Sequence, residues 1–338
     1  MPLTPPCVLS IVIVSFNTRD LLRRCLASIT GNEYYRVFQG EEGRDGKDGG
    51  EGGTSPSYPS SPSHSLLCEI VVVDNGSHDG SPEMVEREFP AVRLVRGGGN
   101  LGFARATNLG LAESRGDLLM LLNPDTEIVG NALAAMADFL SRHERAAAVG
   151  PALLYADGSP QHGAFHFPTL WMSFFDFFPI NHRLLNSRLN GRYPFVAGDG
   201  PRPVDHPLGA AMMLKREALA EVGPLDESFF MYCEEVDWCL RAKRLGWQIY
   251  QLPAARIIHH AGQSAKQMPD EMLVQLHRSR YHLFQKHYPA GFVRAHRWIT
   301  RMGLLGRAAE AGWEALLGRI TWEQLRRRLQ ALRTIWSM

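Results

Sequence analysis

A five-residue apolar run, Leu118 to Leu122, stops abruptly at Asn123-Pro124-Asp125-Thr126, and this feature most narrows the folds open to the chain. An unbroken run of that length, bounded by a turn signal, is a strand with apolar cover on both faces. Sheets built from such strands carry helices on each side, and their ligands sit just beyond the carboxyl ends of the strands. Asp125 stands at such an end, where a metal ion or a phosphate-bearing ligand sits. Asn-Pro-Asp is also ordinary turn chemistry, so the neighbouring segments decide what the motif means.

Those segments repeat the pattern. Val8 to Val14 is β-branched and ends at Ser15-Phe16-Asn17; Leu21, Leu22, Cys25, Leu26 and Ile29 then recur at helical spacing. Ile70 to Val73 ends at Asp74-Asn75-Gly76-Ser77, and Val92 to Val95 and Val149 to Tyr155 complete five strands. Helices are expected near 81–89, 103–114 and 131–143. Strands alternating with helices predict an α/β fold with a mainly parallel central sheet covered on both faces. In a parallel sheet Asn17, Asp74 and Asp125 share one edge, and that convergence is the first functional signal. Residues 31–67 break the pattern with eight Gly, six Ser and three Pro among mixed charges. Such a stretch buries too little apolar surface to offset its ordering entropy, so a disordered insertion is expected inside one domain spanning 1–290. Tyr34, Tyr35, Val37 and Phe38 at its start read as a local hydrophobic anchor.

The second half adds chemistry. Gly97-Gly98-Gly99-Asn100-Leu101-Gly102 is a flexible strand-to-helix loop of the kind that lets a backbone approach a diphosphate, without the dinucleotide-binding spacing. The aromatic stretch 165–178 reads as a loop or short helix lining something. Pro207 to Leu214 is a strand entered through small residues. Phe229-Phe230-Met231-Tyr232 precede Glu234, Glu235 and Asp237 at the start of a helix. Acids in a first turn complement the helix dipole, and one beside aromatics that exclude water can carry a raised pKa suited to a general base. Gln248 to Leu252 and Ala255 to Ile258 read as two strands, and His259-His260 close the second with side chains on opposite faces, so one of them shares the edge of Asp125.

The ordered set Ile11 to Asn17, Val72 to Ser77, Asn100 to Arg105, Leu122 to Thr126, Phe230 to Asp237 and His259-His260 resembles family 2 glycosyltransferases of the GT-A fold, and their bacterial rhamnosyltransferase branch in particular. The resemblance covers 8–287, apart from the insertion. It implies an inverting transfer of a sugar, L-rhamnose from dTDP-rhamnose being the leading candidate, from a nucleotide-sugar donor to an acceptor hydroxyl in cell-envelope glycan synthesis. By this resemblance Ser15, Phe16, Asn17, Asp74, Asn100 and Arg105 bind the nucleotide, and Asn123, Gly209 and Ala210 meet the donor sugar. Asp125 matches the last acid of the metal-binding Asp-X-Asp motif, with Asn123 in place of the first. His259 completes a site for Mg²⁺ or Mn²⁺. Glu235 matches the catalytic base, with Glu234 as its alternative. The implied partners are the donor and a glycan or lipid-linked acceptor. Two other classes stay open: a nucleotidyltransferase, and a non-catalytic nucleotide-sugar-binding or scaffold protein of the same fold.

Bulk properties fit. A net charge of +1 gives no general case for nucleic acid. Five scattered cysteines without CxxC spacing favour reduced thiols, a cytoplasmic setting and no zinc. No secretory signal and no bilayer-spanning run is read. The 291–338 tail is expected to be helical, basic and amphipathic, so C-terminal helices follow the domain. Thr321 and Gln324 form a capping box, and Trp322, Leu325, Leu329, Leu332 and Trp336 form a stripe flanked by arginines. That stripe suits either peripheral attachment to an anionic membrane face or packing against the domain or a second subunit as a homodimer.

Overall fold

The central strands have no polar face, so each must be covered twice, and the arrangement follows from that. The computed structural model describes residues 8–38, 66–193, 198, 200–260 and 269–338. The first half runs β1 (Val8–Ser15), α1 (Arg19–Thr30), β2 (Tyr35–Val37), β3 (Leu66–Asp74), α2 (Ser81–Glu88), β4 (Arg93–Arg96), α3 (Phe103–Glu113), β5 (Leu118–Leu122), β6 (Thr126–Val129), α4 (Ala132–Arg142) and β7 (Ala146–Leu154). The second runs β8 (Pro160–Gln161), β9 (Ala164–Phe165), α5 (Leu170–Phe175), α6 (His182–Leu185), β10 (Arg202–Val204), β11 (His206–Pro207), β12 (Ala211–Lys215), α7 (Arg216–Val222), α8 (Glu234–Arg244), β13 (Gln248–His259), α9 (Pro269–His287), α10 (Ala290–Leu316) and α11 (Trp322–Trp336).

The main sheet has the order β10-β13-β7-β12-β5-β1-β3-β2, with β4 also on β3 and β6 also on β13. Pairings among β1, β2, β3, β4 and β5 are parallel. β12 is antiparallel to both β5 and β7. Leu9, Ile11 and Ile13 of β1 pack with Leu22, Leu26 and Ile29 of α1 and with Leu133 and Leu140 of α4. Val12, on the opposite face, joins Ala104 and Leu111 of α3 and Trp238 and Cys239 of α8. The strand period of two thus sorts one β1 sequence into two cores. Among the described residues Cys25, Cys68, Cys233 and Cys239 are buried.

Two readings of the sequence change. The insertion does not begin at Gly31: Tyr35–Val37 pairs in parallel with Leu66–Cys68, and the Tyr35 hydroxyl donates to the Gly130 carbonyl at 2.7 Å. Residues 39–65 of the proposed insertion lie outside the described residues. β13 is one strand rather than two; its register on β7 shifts between Leu252 and Arg256, where Pro253 cannot donate to the ladder. The helical tail consists of α10 and α11, and the Thr321–Gln324 capping box opens the second. On α11 the buried residues are Leu325, Ala331 and Ile335, whereas Trp322, Leu329 and Trp336 of the expected stripe face outward.

Candidate active site

A cavity of about 300 Å³ opens at the carboxyl ends of β1, β3 and β5. Of the residues singled out in the sequence, it gathers Phe16, Asn100, Asn123, Asp125, Gly209, Ala210, Glu234, Glu235 and His259. Six separate segments therefore converge on one space. A larger cavity of about 550 Å³ between α9, α10 and α11 has no comparable set of groups. Its charges neutralise one another, as in the Arg328–Glu314 pair at 2.6 Å.

The β5 end is fixed first. The Asn123 N–H donates to the Ala210 carbonyl at 2.9 Å, and the Thr126 hydroxyl donates to the Asn123 carbonyl at 2.7 Å. Thr126 pairs across the β6–β13 ladder with His259, which brings the two chain-distant segments together. Asp125 Oδ1 and His259 Nε2 end 3.5 Å apart, both nearly buried. His259 Nδ1 lies 2.9 Å from the Gln161 amide oxygen. An amide oxygen only accepts, so Nδ1 donates to Gln161 and Nε2 is the ring nitrogen that faces Asp125. A carboxylate oxygen beside an imidazole nitrogen is a donor set that fits a divalent cation. Among the described residues no group of three or more His, Cys, Asp and Glu could hold a metal ion. His260 points away and meets Glu127 at 2.7 Å.

Glu234 and Glu235 open α8 beyond a strained turn. Tyr232 and Cys233 both have φ of +70°, a left-handed conformation that non-glycine residues seldom adopt. Behind them the Phe103 N–H donates to the Phe230 carbonyl at 2.6 Å. Gly102, at φ +81°, leaves room for that contact; a Cβ there would lie 2.5 Å from the Phe230 oxygen. Burial pushes the Glu234 carboxyl well above the usual carboxylate range, and the neighbouring charge of Glu235 adds to the effect. Its Oε2 is buried without a hydrogen bond. Burial also raises Glu235, opposed by backbone N–H groups that include Gly209. Glu234 is the more strongly raised of the two, and Glu235 is the more open to the cavity. Gly209 is glycine for a reason of space: a Cβ would meet the Glu235 carboxyl carbon at 3.2 Å.

Other expected residues stand behind the cavity. The Ser15 hydroxyl bonds the Thr18 hydroxyl at 3.0 Å. The Asn17 side chain accepts from the His78 N–H at 2.8 Å, and the Asp74 carboxylate accepts from the Gly76 and Ser77 N–H groups. These three close turns instead of lining the cavity. Arg105 is exposed and 3.9 Å from Glu227. The aromatic stretch 165–178 does not line the cavity either, since Phe175 is buried and Phe177 packs on His277 of α9. The lining aromatics are Phe16, Phe103, Phe230 and Tyr232. Asn75, read in the sequence only as part of a turn, lines the cavity and ties the glycine-rich loop to it. It accepts from the Leu101 N–H at 2.8 Å and donates to Asn100 Oδ1 at 3.1 Å. Gln161 had no sequence signal at all.

Comparison with known proteins agrees with this geometry. Residues 63–223 match the profile of Glycosyl transferase family 2. The N-acetylglucosaminyl-diphospho-decaprenol L-rhamnosyltransferase of Mycobacterium tuberculosis is 32% identical over 256 residues, covering 71% of this chain and 81% of the relative. A dTDP-rhamnosyl transferase of Shigella flexneri is 23% identical over 198 residues, covering 58% of this chain and 60% of the relative. Among solved structures, a mannosyltransferase from Pyrobaculum calidifontis in complex with GDP-Man and Mn²⁺ superposes with a TM-score of 0.52 at 15% identity, covering 97% of this chain and 85% of that one. At that identity the likeness speaks to the GT-A fold alone.

Proposed function

Because this chain belongs to glycosyl transferase family 2 and is a nucleotide-sugar-dependent glycosyltransferase, we propose that its cavity transfers L-rhamnose from dTDP-rhamnose to a lipid-linked glycan acceptor, with inversion. The observation that carries the reading is the convergence of Asp125, His259 and Glu235 in one cavity. The rhamnosyl donor and the lipid-diphosphate acceptor are supported by the two rhamnosyltransferase relatives.

Phe16, Asn75 and Asn100 hold the nucleoside end, and Asn123, Gly209 and Ala210 border the sugar. Asp125 and His259 would hold Mg²⁺ or Mn²⁺, which when bound would supply Lewis-acid neutralisation of the diphosphate charge. Glu235 accepts the proton of the acceptor hydroxyl. The hydroxyl oxygen forms its bond to the anomeric carbon as the bond to the diphosphate oxygen breaks, and the electron pair leaves with the diphosphate. Attack opposite the leaving group inverts the centre. Phe103, Phe230 and Tyr232 keep water from the oxocarbenium-like carbon, which water would otherwise hydrolyse. A lipid-linked acceptor puts the reaction at a membrane surface.

A donor panel tests this reading. Purified protein is incubated with dTDP-, UDP- and GDP-sugars, with Mn²⁺, Mg²⁺ or EDTA, and a lipid-diphosphate acceptor. Metal-dependent release of dTDP from dTDP-rhamnose, lost in Asp125→Ala, is expected. Turnover of another donor in its place removes the rhamnose assignment, and metal-independent turnover removes the roles of Asp125 and His259.

A further inference from the structure

Helix α10 is apolar on two opposite faces, and only one of them is covered. His296, Thr300, Gly303, Leu304, Ala311 and Ala315 turn inward and are buried. Trp298, Met302, Leu305, Trp313 and Leu316 follow at helical spacing on the other side, and Trp298 and Leu316 are 67% and 70% exposed. The exposed row is roughly 27 Å long at the α-helical rise. An apolar stripe of that size on a soluble surface calls for a partner.

The charges beside it indicate which partner. Residues 290–338 carry nine Arg and three Glu. Each Glu faces an Arg: Glu310 with Arg307, Glu314 with Arg328, and Glu323 with Arg327. Arg294, Arg297, Arg301, Arg319, Arg326 and Arg333 form no ion pair with Asp or Glu among the described residues. Arg301 sits 5.4 Å over the Trp336 ring, which joins the α11 surface of exposed Trp322, Leu329 and Trp336 to the edge of the α10 stripe. A second copy docking here by two-fold symmetry would set this cationic surface against itself. An anionic surface with an apolar interior matches both parts, because Trp and Leu enter the acyl boundary while arginines reach the headgroups. Among the described residues no helix is long and apolar enough to cross a membrane, so this surface lies along one.

We propose that the outer face of the α10–α11 hairpin is a docking surface for an anionic lipid bilayer, centred on the stripe from Trp298 to Leu316. The sequence stripe on α11 is only its margin. The inference does not depend on the choice of sugar or acceptor.

The test uses the full chain with vesicles of phosphatidylcholine alone or mixed equally with phosphatidylglycerol. Flotation and the shift in Trp emission are read at low and high salt, alongside sedimentation velocity without lipid. Wild type is expected to partition about tenfold better into the anionic vesicles and to lose most of that advantage in salt. Leu305→Glu with Leu316→Glu replaces two exposed side chains, so the melting temperature and donor binding stay at wild-type values while partition falls about tenfold or more. Failure of wild type to partition, or undiminished partition of the double variant, overturns the proposal. So does a lipid-free dimer that the same two substitutions dissolve. Unchanged donor binding in the variant keeps this outcome separate from any failure of the rhamnosyl reading.

Discussion

Replacing Gly209 by alanine isolates the position of the proposed base from its chemistry. The added methyl would stand 3.2 Å from the Glu235 carboxyl carbon and 3.3 Å from Oε1. Ordinary carbon contacts begin at about 3.5 Å, so the carboxyl retreats by about 0.3 Å. A misplacement of ~1 Å can cost about 10²-fold in rate, and a shift of about 0.3 Å costs about fourfold, or ~0.8 kcal/mol of barrier. Gly209 is not in the left-handed region, so alanine adds no backbone strain. The variant is assayed for kcat and donor KM under saturating acceptor, with a thermal melt beside it. The expected result is kcat lowered about fourfold with donor KM and Tm nearly unchanged. A raised donor KM with intact kcat would show that the methyl meets the sugar and leaves the base alone, and would refute the reasoning.

Three further outcomes follow from the same site. Burial raises Glu235, so kcat/KM should fall as pH drops, with a midpoint above the ordinary glutamate value of about 4.3; a pH–rate profile checks this. The raised Glu234 pKa contributes stability that is fully present below its unfolded pKa and is lost as pH rises toward its folded one. Glu234→Gln removes that loss, so its Tm relative to wild type should climb between acidic and alkaline buffers; a constant offset would contradict the assignment. Gln161→Leu leaves the His259 ring without its orienting partner, and Mn²⁺ affinity by calorimetry should weaken about 10–100-fold while Tm changes little.

The parts of this fold that were legible in the sequence are those set by local pattern. The runs 8–14, 70–73 and 118–122 are apolar, apart from Ser10, because helices cover both of their faces, and their polar stops mark the edge where the cavity lies. β6 was missed because its four residues directly follow a turn motif and owe their strand state to β13, far along the chain. The antiparallel direction of β12 depends on the same kind of long-range pairing. Asp74 and Asn75 show the limit at the site. Both occupy a strand end, yet the backbone turn takes the carboxylate and the amide faces the cavity, which residue type alone does not reveal. The tail shows another limit: helical spacing finds apolar stripes, but only burial shows which of two stripes the domain covers.

The central claim is that Glu235 takes the acceptor proton in a site that binds the donor independently of it. The most direct test measures turnover and donor affinity together for Glu235→Gln and Glu234→Gln. The account predicts that Glu235→Gln loses ~10²–10⁴-fold in kcat with donor binding intact, while Glu234→Gln keeps most of its turnover. Near-full turnover of Glu235→Gln, or a loss confined to Glu234→Gln, would contradict it.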